Sequence, residues 1–285
     1  MKKIFIVILS CLLISACSFG YDFQDVNIYS TAYPIEYAAA ALYSEHANVS
    51  SVYPMGSNQD YVVTEKKKDI YSKGETFIYS GLANEAYLAK DLLNKNGDLQ
   101  LIDATKGMTL NTNIAELWLD PSNYLMLCSN IKSSLIDYND NVYIKEDIEN
   151  KYKKLNENVS ELDVKLYNIG KNGNYNTILT TNNVFNYLSK YNINVISLDS
   201  NNQSIDKAYS DAKKLIKDKK IQYIYVLEND ELTETQNKLI NDNSLIKIEI
   251  NNLFTLSDSE KAENKDYISI MNDIIDEYKK ELYKK

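Results

Sequence analysis

One short segment contains the side chains best suited to chemistry. Residues 113–123, NIAELWLDPSN, include the only tryptophan of the chain, Trp118, and the carboxylate of Glu116 comes two positions before it. A carboxylate in this position is either part of a binding site or a solvated charge on a well-anchored surface loop. The segment alone leaves both interpretations open, so the elements that position it have to decide.

Residues that could support catalysis are scarce elsewhere. The chain has a single histidine, His46, and contains no CxxC pair, no glycine-rich phosphate loop and no metal-hydrolase motif. In a chain with 40 acidic residues, pairs of neighbouring carboxylates carry little information, because most of them face solvent. We therefore expect that the protein is not an enzyme, and that His46 lies at the surface or partly buried, away from any ligand.

The charge and the basic residues restrict the possible partners. The formal net charge is −9, and all 31 basic residues are lysines. An acidic surface repels phosphate backbones, so nucleic acid is not an expected partner. Lysine cannot form the bidentate contact with which arginine binds carboxylates and phosphates, so amino acids, peptides and phosphate esters become less favoured ligands.

The N-terminus predicts export and a lipid anchor. The basic start MKK, the apolar run IFIVILSCLLI and the following ISAC resemble a bacterial lipobox that ends at Cys17. This resemblance implies a signal peptide over residues 1–16, a lipid on Cys17 that anchors the protein to the bilayer, and a tether over residues 17–25. An ordinary secretory signal is the alternative. Cys128 is the only other cysteine outside the signal, so we expect no disulfide and a small core side chain at this position.

The remaining chain alternates strands and helices, which predicts an α/β fold with parallel sheets. We expect an N-terminal α/β lobe over residues 26–140 and a C-terminal α/β lobe over residues 171–285. Between them, residues 141–170 contain no proline or glycine before Gly170, and their apolar residues recur every three or four positions. This spacing predicts one long amphipathic helix.

Several segments in this order resemble the zinc/manganese solute-binding lipoproteins of ABC importers, the TroA-like family that includes lipoprotein adhesins. They are TAYPIEYAAAAL, VYPMGSNQDY, ELWLDPSN, LTTNNVFNYLSKYNI and YISIMNDII, and all three prolines fall within them. The resemblance covers nearly the whole mature chain. It implies two (β/α)4-type lobes with parallel sheets, joined by one long rigid backbone helix.

The resemblance also implies positions for a metal site, at which the family has mostly histidines. The matching residues here are Asp60 (or Gln59, depending on a one-residue gap), Glu116, Asn182 and Asn251, with Asp258 as the alternative for the last position. We expect Trp118, Gln59, Asn183 and Asp258 to line the cleft between the lobes. An all-oxygen site suits Mn²⁺ or Ca²⁺ better than Zn²⁺, which is the third candidate. In the alternative interpretation the metal site has been lost.

The resemblance implies a monomeric, lipid-anchored protein on the extracytoplasmic face of a bacterial membrane, which delivers its solute to an ABC permease. Metal binding would then be altered or lost. Two alternatives keep the same fold without the metal site. One is a surface adhesion or scaffold lipoprotein that binds a host or surface ligand, and the other is a binding protein for a neutral organic solute.

Overall fold

The computed structural model describes residues 26–285, so the expected signal peptide, Cys17 and the tether lie outside the described residues. The first lobe is built on a four-stranded parallel sheet with strand order β2-β1-β3-β4. Its strands are β1 (Asn27–Ser30), β2 (Asn48–Ser51), β3 (Thr76–Tyr79) and β4 (Gln100–Asp103), and its helices are α1 (Tyr33–Tyr43), α2 (Glu65–Tyr71), α3 (Glu85–Lys95), α4 (Glu116–Leu119) and α5 (Pro121–Asp137).

The second lobe repeats this plan with strand order β6-β5-β7-β8, again all parallel. Its strands are β5 (Thr177–Thr180), β6 (Asn194–Ser197), β7 (Tyr223–Leu227) and β8 (Ile246–Ile250), and its helices are α7 (Ile205–Lys217), α8 (Glu234–Asp242), α9 (Asp258–Ala262) and α10 (Tyr267–Leu282). Residues Asn183–Tyr191 form a 3₁₀ helix. The α/β class and the two-lobe architecture are confirmed.

The long helix α6 (Val142–Asn172) joins the lobes and has 31 residues, which corresponds to about 46 Å. At its start the side chain of Asn141 accepts a hydrogen bond from the backbone N–H of Tyr143 (2.9 Å) and so caps the helix. One face of α6 is buried against α1, α5 and α10. That face carries Ile148, Leu155, Val159, Leu162, Leu166 and Ile169.

Gly170 permits a close approach between α6 and the second lobe, and the helix continues two residues beyond it. A Cβ atom at this position would lie 1.9 Å from the backbone oxygen of Tyr191, at the end of the 3₁₀ helix. The glycine is therefore needed for helix packing, and this explains why it does not end the helix.

One large apolar core runs through both lobes. It combines residues of the first sheet, such as Phe77 and Ile78, with residues of α6 and with Tyr225, Ile250 and Tyr278 of the second lobe. Cys128 belongs to this core and is fully buried. Within residues 26–285, no helix combines the length and the apolar character needed to cross a membrane.

Candidate functional site

Four loops meet between the lobes, and each of them follows the carboxyl end of a strand. The loops after β2 and β4 come from the first lobe, and those after β7 and β8 come from the second lobe. Ligands of open parallel sheets bind at this end of the strands. The loops enclose a space of about 100 Å³, which we call the interlobe cavity. Its lining residues are Asn58, Gln59, Asp60, Asn113, Ile114, Ala115, Trp118, Leu227, Glu228, Asn229, Asp230, Asn252 and Phe254.

Trp118 forms one wall of the interlobe cavity and is fixed by bonds to the second lobe. Its ring N–H donates to the backbone oxygen of Asn252 (2.7 Å), and its own backbone oxygen accepts from the hydroxyl of Tyr267 (2.7 Å). The residue lies in the short helix α4 and has no solvent exposure. Because the indole is fully buried and its N–H is already bonded, Trp118 supports the wall and offers a ligand no free donor.

Two acidic residues after β7 form the opposite side of the cavity. Burial raises the pKa of Asp230 above its ordinary value, an effect that the donated hydrogen bond from the Asn182 amide (2.7 Å) partly offsets. Burial likewise raises the pKa of Glu228, while a backbone hydrogen bond from Asn252 lowers it. Within the described chain, no lysine forms an ion pair with either carboxylate. Both carboxylates are thus partly removed from water without a neighbouring cation.

Asp60 and Gln59 lie on the exposed loop after β2 and line the interlobe cavity. They also line an adjacent space of about 370 Å³, which reaches the buried carboxylate of Glu85. Glu85 accepts hydrogen bonds from the hydroxyl of Thr31 (2.6 Å) and from the backbone N–H of Ser80 (2.7 Å). Burial is the main cause that raises the pKa of Glu85 to about 7.

Glu116 lies in a different space from Asp60. Its two carboxylate oxygens accept hydrogen bonds from the amide of Asn111 (3.2 Å) and the hydroxyl of Thr112 (2.9 Å). It lines a surface cleft of about 480 Å³ together with Asn183 of the second lobe. Glu116 therefore faces the junction of the lobes, but local hydrogen bonds already engage its carboxylate.

Asn182 and Asn251 line none of these three spaces. Each side-chain oxygen accepts a hydrogen bond from the backbone two residues later, Asn182 from Val184 (2.8 Å) and Asn251 from Leu253 (2.6 Å). Their amide groups donate to Asp230 and to Glu260, respectively. Both side chains therefore stabilise local turns.

Asp258 is exposed at the start of α9 and lines none of these spaces. His46 is partly buried, and its Nε2 contacts the carboxylate of Asp147 on α6 at 2.7 Å. Among residues 26–285, no group of three or more histidine, cysteine, aspartate or glutamate side chains is arranged to bind a metal ion.

The residues that the sequence interpretation missed are those after β7 and β8. Glu228, Asn229 and Asp230 directly follow the buried strand IQYIYVL, and Asn252 and Phe254 follow the strand IKIEI. These residues could have been identified from the sequence, because polar residues at the carboxyl ends of parallel strands are typical of a binding site.

Further contacts connect the lobes around the interlobe cavity. The hydroxyl of Thr255 donates to the backbone oxygen of Ser57 (3.0 Å), and the backbone N–H of Tyr33 donates to the oxygen of Phe254 (2.9 Å). The ammonium group of Lys190 in the second lobe forms an ion pair with the buried carboxylate of Asp120 in the first. These bonds fix the relative positions of the walls.

The overall fold is shared with solved structures of metal-binding proteins. The Zn(II)-bound ZnuA-like domain of AdcA from Streptococcus pneumoniae has a TM-score of 0.72 at 22% identity, and the match covers 92% of this chain and 100% of that one. The metal-dependent lipoprotein YcdH from Bacillus subtilis has a TM-score of 0.73 at 19% identity, with 90% and 99% of the two chains covered.

A third similar structure is a mutant of a Mn-bound periplasmic metal-binding protein from Candidatus Liberibacter asiaticus, with a TM-score of 0.72 at 14% identity and coverage of 90% and 100%. A comparison with curated protein sequences gave no significant match. Residues 28–281 match the family described as ZnuA, zinc-uptake complex component A, periplasmic. The match spans both sheets and the helix between them, and the chain therefore belongs to the ZnuA family, the TroA-like zinc/manganese solute-binding proteins.

Proposed function

We propose that this protein is the extracytoplasmic solute-binding component of an ABC importer, and that its solute binds in the interlobe cavity. The observation that carries the proposal is the convergence of four strand-end loops, two from each lobe, on one partly open space. A solute enclosed by both lobes is shielded from water and can be released when the lobes separate slightly. The relatives' role in metal uptake supports the transport part of the proposal.

We infer that the four positions at which the family has its metal ligands do not form a metal site in this chain. Asp60 and Glu116 line separate spaces, and both asparagine oxygens accept backbone hydrogen bonds. Carboxamides also lack the negative charge and the nitrogen donors that give Zn²⁺ its high affinity. A Mn²⁺, Ca²⁺ or Zn²⁺ ion at these positions would have to disrupt two turns before it could bind.

The function proposed here is binding without catalysis. The only thiol of the described chain, Cys128, is fully buried, and burial raises its pKa far above the ordinary value. The only histidine contacts Asp147 on α6 and directly precedes β2, whereas the loops that line the interlobe cavity follow the carboxyl ends of the strands. Neither a thiolate nor an imidazole is thus available to a bound solute.

The lipid anchor at Cys17 completes the proposal, since a tethered binding protein remains close to its permease. A membrane-fractionation experiment with a Cys17→Ser variant tests it. We expect the wild-type protein in the membrane fraction, with a diacylglycerol mass on its N-terminal peptide. The variant should lack this mass and be either released or left uncleaved. A wild-type N-terminal peptide without the diacylglycerol mass would contradict lipid anchoring at Cys17.

Solute binding in the cavity is tested by thermal unfolding of the mature protein against a library of small organic solutes, with Mn²⁺, Ca²⁺ and Zn²⁺ included. A ligand at one hundred times its Kd stabilises a protein by about 2.7 kcal/mol, which corresponds to a rise in Tm of ~5 °C or more for a chain of this size. The informative variant is Gln59→Trp, which places a large side chain from an exposed loop position into the cavity.

We expect one solute to raise the Tm of the wild-type protein and to have no effect on Gln59→Trp. The matched control is Gln203→Trp, at an exposed position outside the cavity, which should respond like the wild type. If no solute stabilises the protein, or if Gln59→Trp responds normally, the interlobe cavity is not the binding site. Unimpaired binding to a surface or host ligand under those conditions would instead favour the scaffold or adhesion function.

A further inference from the structure

The lining of the interlobe cavity combines acidic, carboxamide and aromatic residues, and its carboxamides are Asn58, Gln59, Asn113, Asn229 and Asn252. Its lining includes the three carboxylates of Asp60, Glu228 and Asp230, and it includes no lysine. The remaining walls include the buried aromatic rings of Trp118 and Phe254, which have exposures of 0% and 5%. This combination of carboxylates and aromatic rings restricts the charge that a ligand can carry.

Negative ligands are disfavoured in this space. A carboxylate or phosphate group would lie beside three like charges, without a lysine in the lining to compensate for them. The same repulsion disfavours amino acids, because the carboxylate end of the zwitterion would have to be accommodated. The ligand is therefore either uncharged or positively charged.

The acidic residues after β7 favour a positive ligand. Glu228 and Asp230 are both partly buried, and within the described chain neither has a lysine partner. A buried carboxylate without a cation nearby is energetically unfavourable in its charged form, as the raised pKa of each residue indicates. A cation that enters the cavity would remove this penalty and gain Coulomb energy in a site shielded from water.

The arrangement of the acidic residues distinguishes an organic cation from a metal ion. A divalent metal ion prefers several oxygen or nitrogen donors around one point, and within residues 26–285 no three histidine, cysteine, aspartate or glutamate side chains are arranged in that way. The face of a phenylalanine ring attracts an ammonium group within about 6 Å. The ring of Phe254 is held in place by Tyr53, whose ring centroid is 4.9 Å away, whereas Trp118 is fully buried and supports the wall from behind.

The volume of the interlobe cavity limits the number of non-hydrogen atoms that a ligand can have. A water molecule needs roughly 10–15 Å³ of such space, so about 100 Å³ accommodates a ligand on the order of seven to ten non-hydrogen atoms. We infer that the solute of this protein is a small organic ammonium ion, bound between the carboxylates of Asp60, Glu228 and Asp230 and the ring of Phe254. This inference rests on the proposed function, because it specifies the solute of the same cavity.

Isothermal titration calorimetry at low ionic strength tests the inference with choline and ethanolamine as cationic probes. The neutral isostere of choline, 3,3-dimethylbutan-1-ol, separates charge from shape. We expect at least one of the two ammonium ions to bind with one-to-one stoichiometry, and the neutral isostere to bind at least tenfold more weakly than choline. Added salt should weaken the binding of the cation and leave that of the neutral compound unchanged.

The matched variants remove charge without changing shape. Asp230→Asn and Glu228→Gln should each raise the Kd for the ammonium ion at least tenfold, whereas Asp258→Asn, an exposed carboxylate outside the cavity, should leave it unchanged. Circular dichroism and the Tm identify a variant that has simply unfolded, and the two independent positions allow for that outcome.

Three results would overturn the inference: equal affinity for choline and its neutral isostere, unchanged affinity in both charge variants, or no binding of either ammonium ion. If another solute still stabilises the wild type but not Gln59→Trp, the proposed function survives and only the class of solute is wrong. If no solute binds at all, both the proposed function and the inference are wrong.

Discussion

Replacing Glu85 with glutamine tests how strongly the first lobe shields its interior from water. Glu85 is 5% exposed at the start of α3, and it accepts hydrogen bonds from Thr31, Ser80 and Tyr53. Its pKa is raised by burial from the ordinary 4.5 to about 7. Such a difference between the unfolded and folded states corresponds to about 3 kcal/mol in the free energy of unfolding.

The sign of the effect follows from the direction of the pKa change. The folded protein binds the proton of Glu85 more tightly than the unfolded chain does, so this contribution to stability is fully present below about pH 4.5. It is lost as the pH rises from about 4.5 to about 7, because the carboxyl group of the unfolded chain ionises in this range while the buried one in the folded protein retains its proton. Glutamine keeps the shape and the acceptor oxygen but cannot ionise, so Glu85→Gln should lack this part of the pH dependence.

The assay is urea denaturation of both proteins between pH 4.5 and 8. We expect the free energy of unfolding of the wild type to fall relative to that of Glu85→Gln by about 3 kcal/mol over this range. The control is Glu157→Gln, at an exposed position of α6, for which the difference from the wild type should not vary with pH. A constant difference between the wild type and Glu85→Gln would refute the argument that burial controls this carboxyl group.

Two further predictions concern the contacts between the lobes and the long helix. Gly170→Ala should destabilise the protein by roughly 2 kcal/mol or more in chemical denaturation, because the new Cβ would meet the oxygen of Tyr191 at 1.9 Å. Gly97→Ala, which has open space around it, should be nearly neutral, and equal effects of the two substitutions would contradict the close approach. Lys190→Met should destabilise by about 1–2 kcal/mol, because the carboxylate of Asp120 loses its cation but keeps the hydrogen bond from the N–H of Ser122, and the Lys190 side chain is 36% exposed. A loss smaller than ~0.5 kcal/mol would mean that this ion pair contributes no more than an exposed one.

The sequence predicts the frame of the molecule well, because the frame depends on local patterns. The spacing of apolar residues in α6 identifies a long buried face. The helix α5 starts at Pro121, a residue favoured at the first helical position, and the side chain of Asp120 accepts from the N–H of Ser122 at its N-cap. The alternation of strands and helices similarly predicts two parallel sheets.

Features that depend on distant contacts could not be predicted in the same way. The position of Gly170 suggests a helix end, but its role is to admit the backbone of Tyr191, which is distant in sequence. The apolar spacing of Asn183–Tyr191 indicates a helix but does not show that it is a 3₁₀ helix.

The candidate site could likewise be predicted only in part from the sequence. The sequence places Trp118 and Asp60 in a cleft, and both line the interlobe cavity. It does not reveal that the oxygen of Asn182 accepts from a backbone N–H, nor that the amide donates to Asp230. Hydrogen bonds of this kind depend on loop geometry that no spacing rule describes.

The central claim is that this member of the ZnuA family keeps the two-lobe fold but does not use the family's metal-ligand positions. Isothermal titration calorimetry of the metal-free mature protein with Zn²⁺ and with Mn²⁺, repeated on a Glu116→Gln variant, tests it most directly. We predict no saturable one-to-one binding of either ion to the wild type, and an identical titration for the variant. One-to-one binding of Zn²⁺ or Mn²⁺ that Glu116→Gln abolishes would contradict the claim.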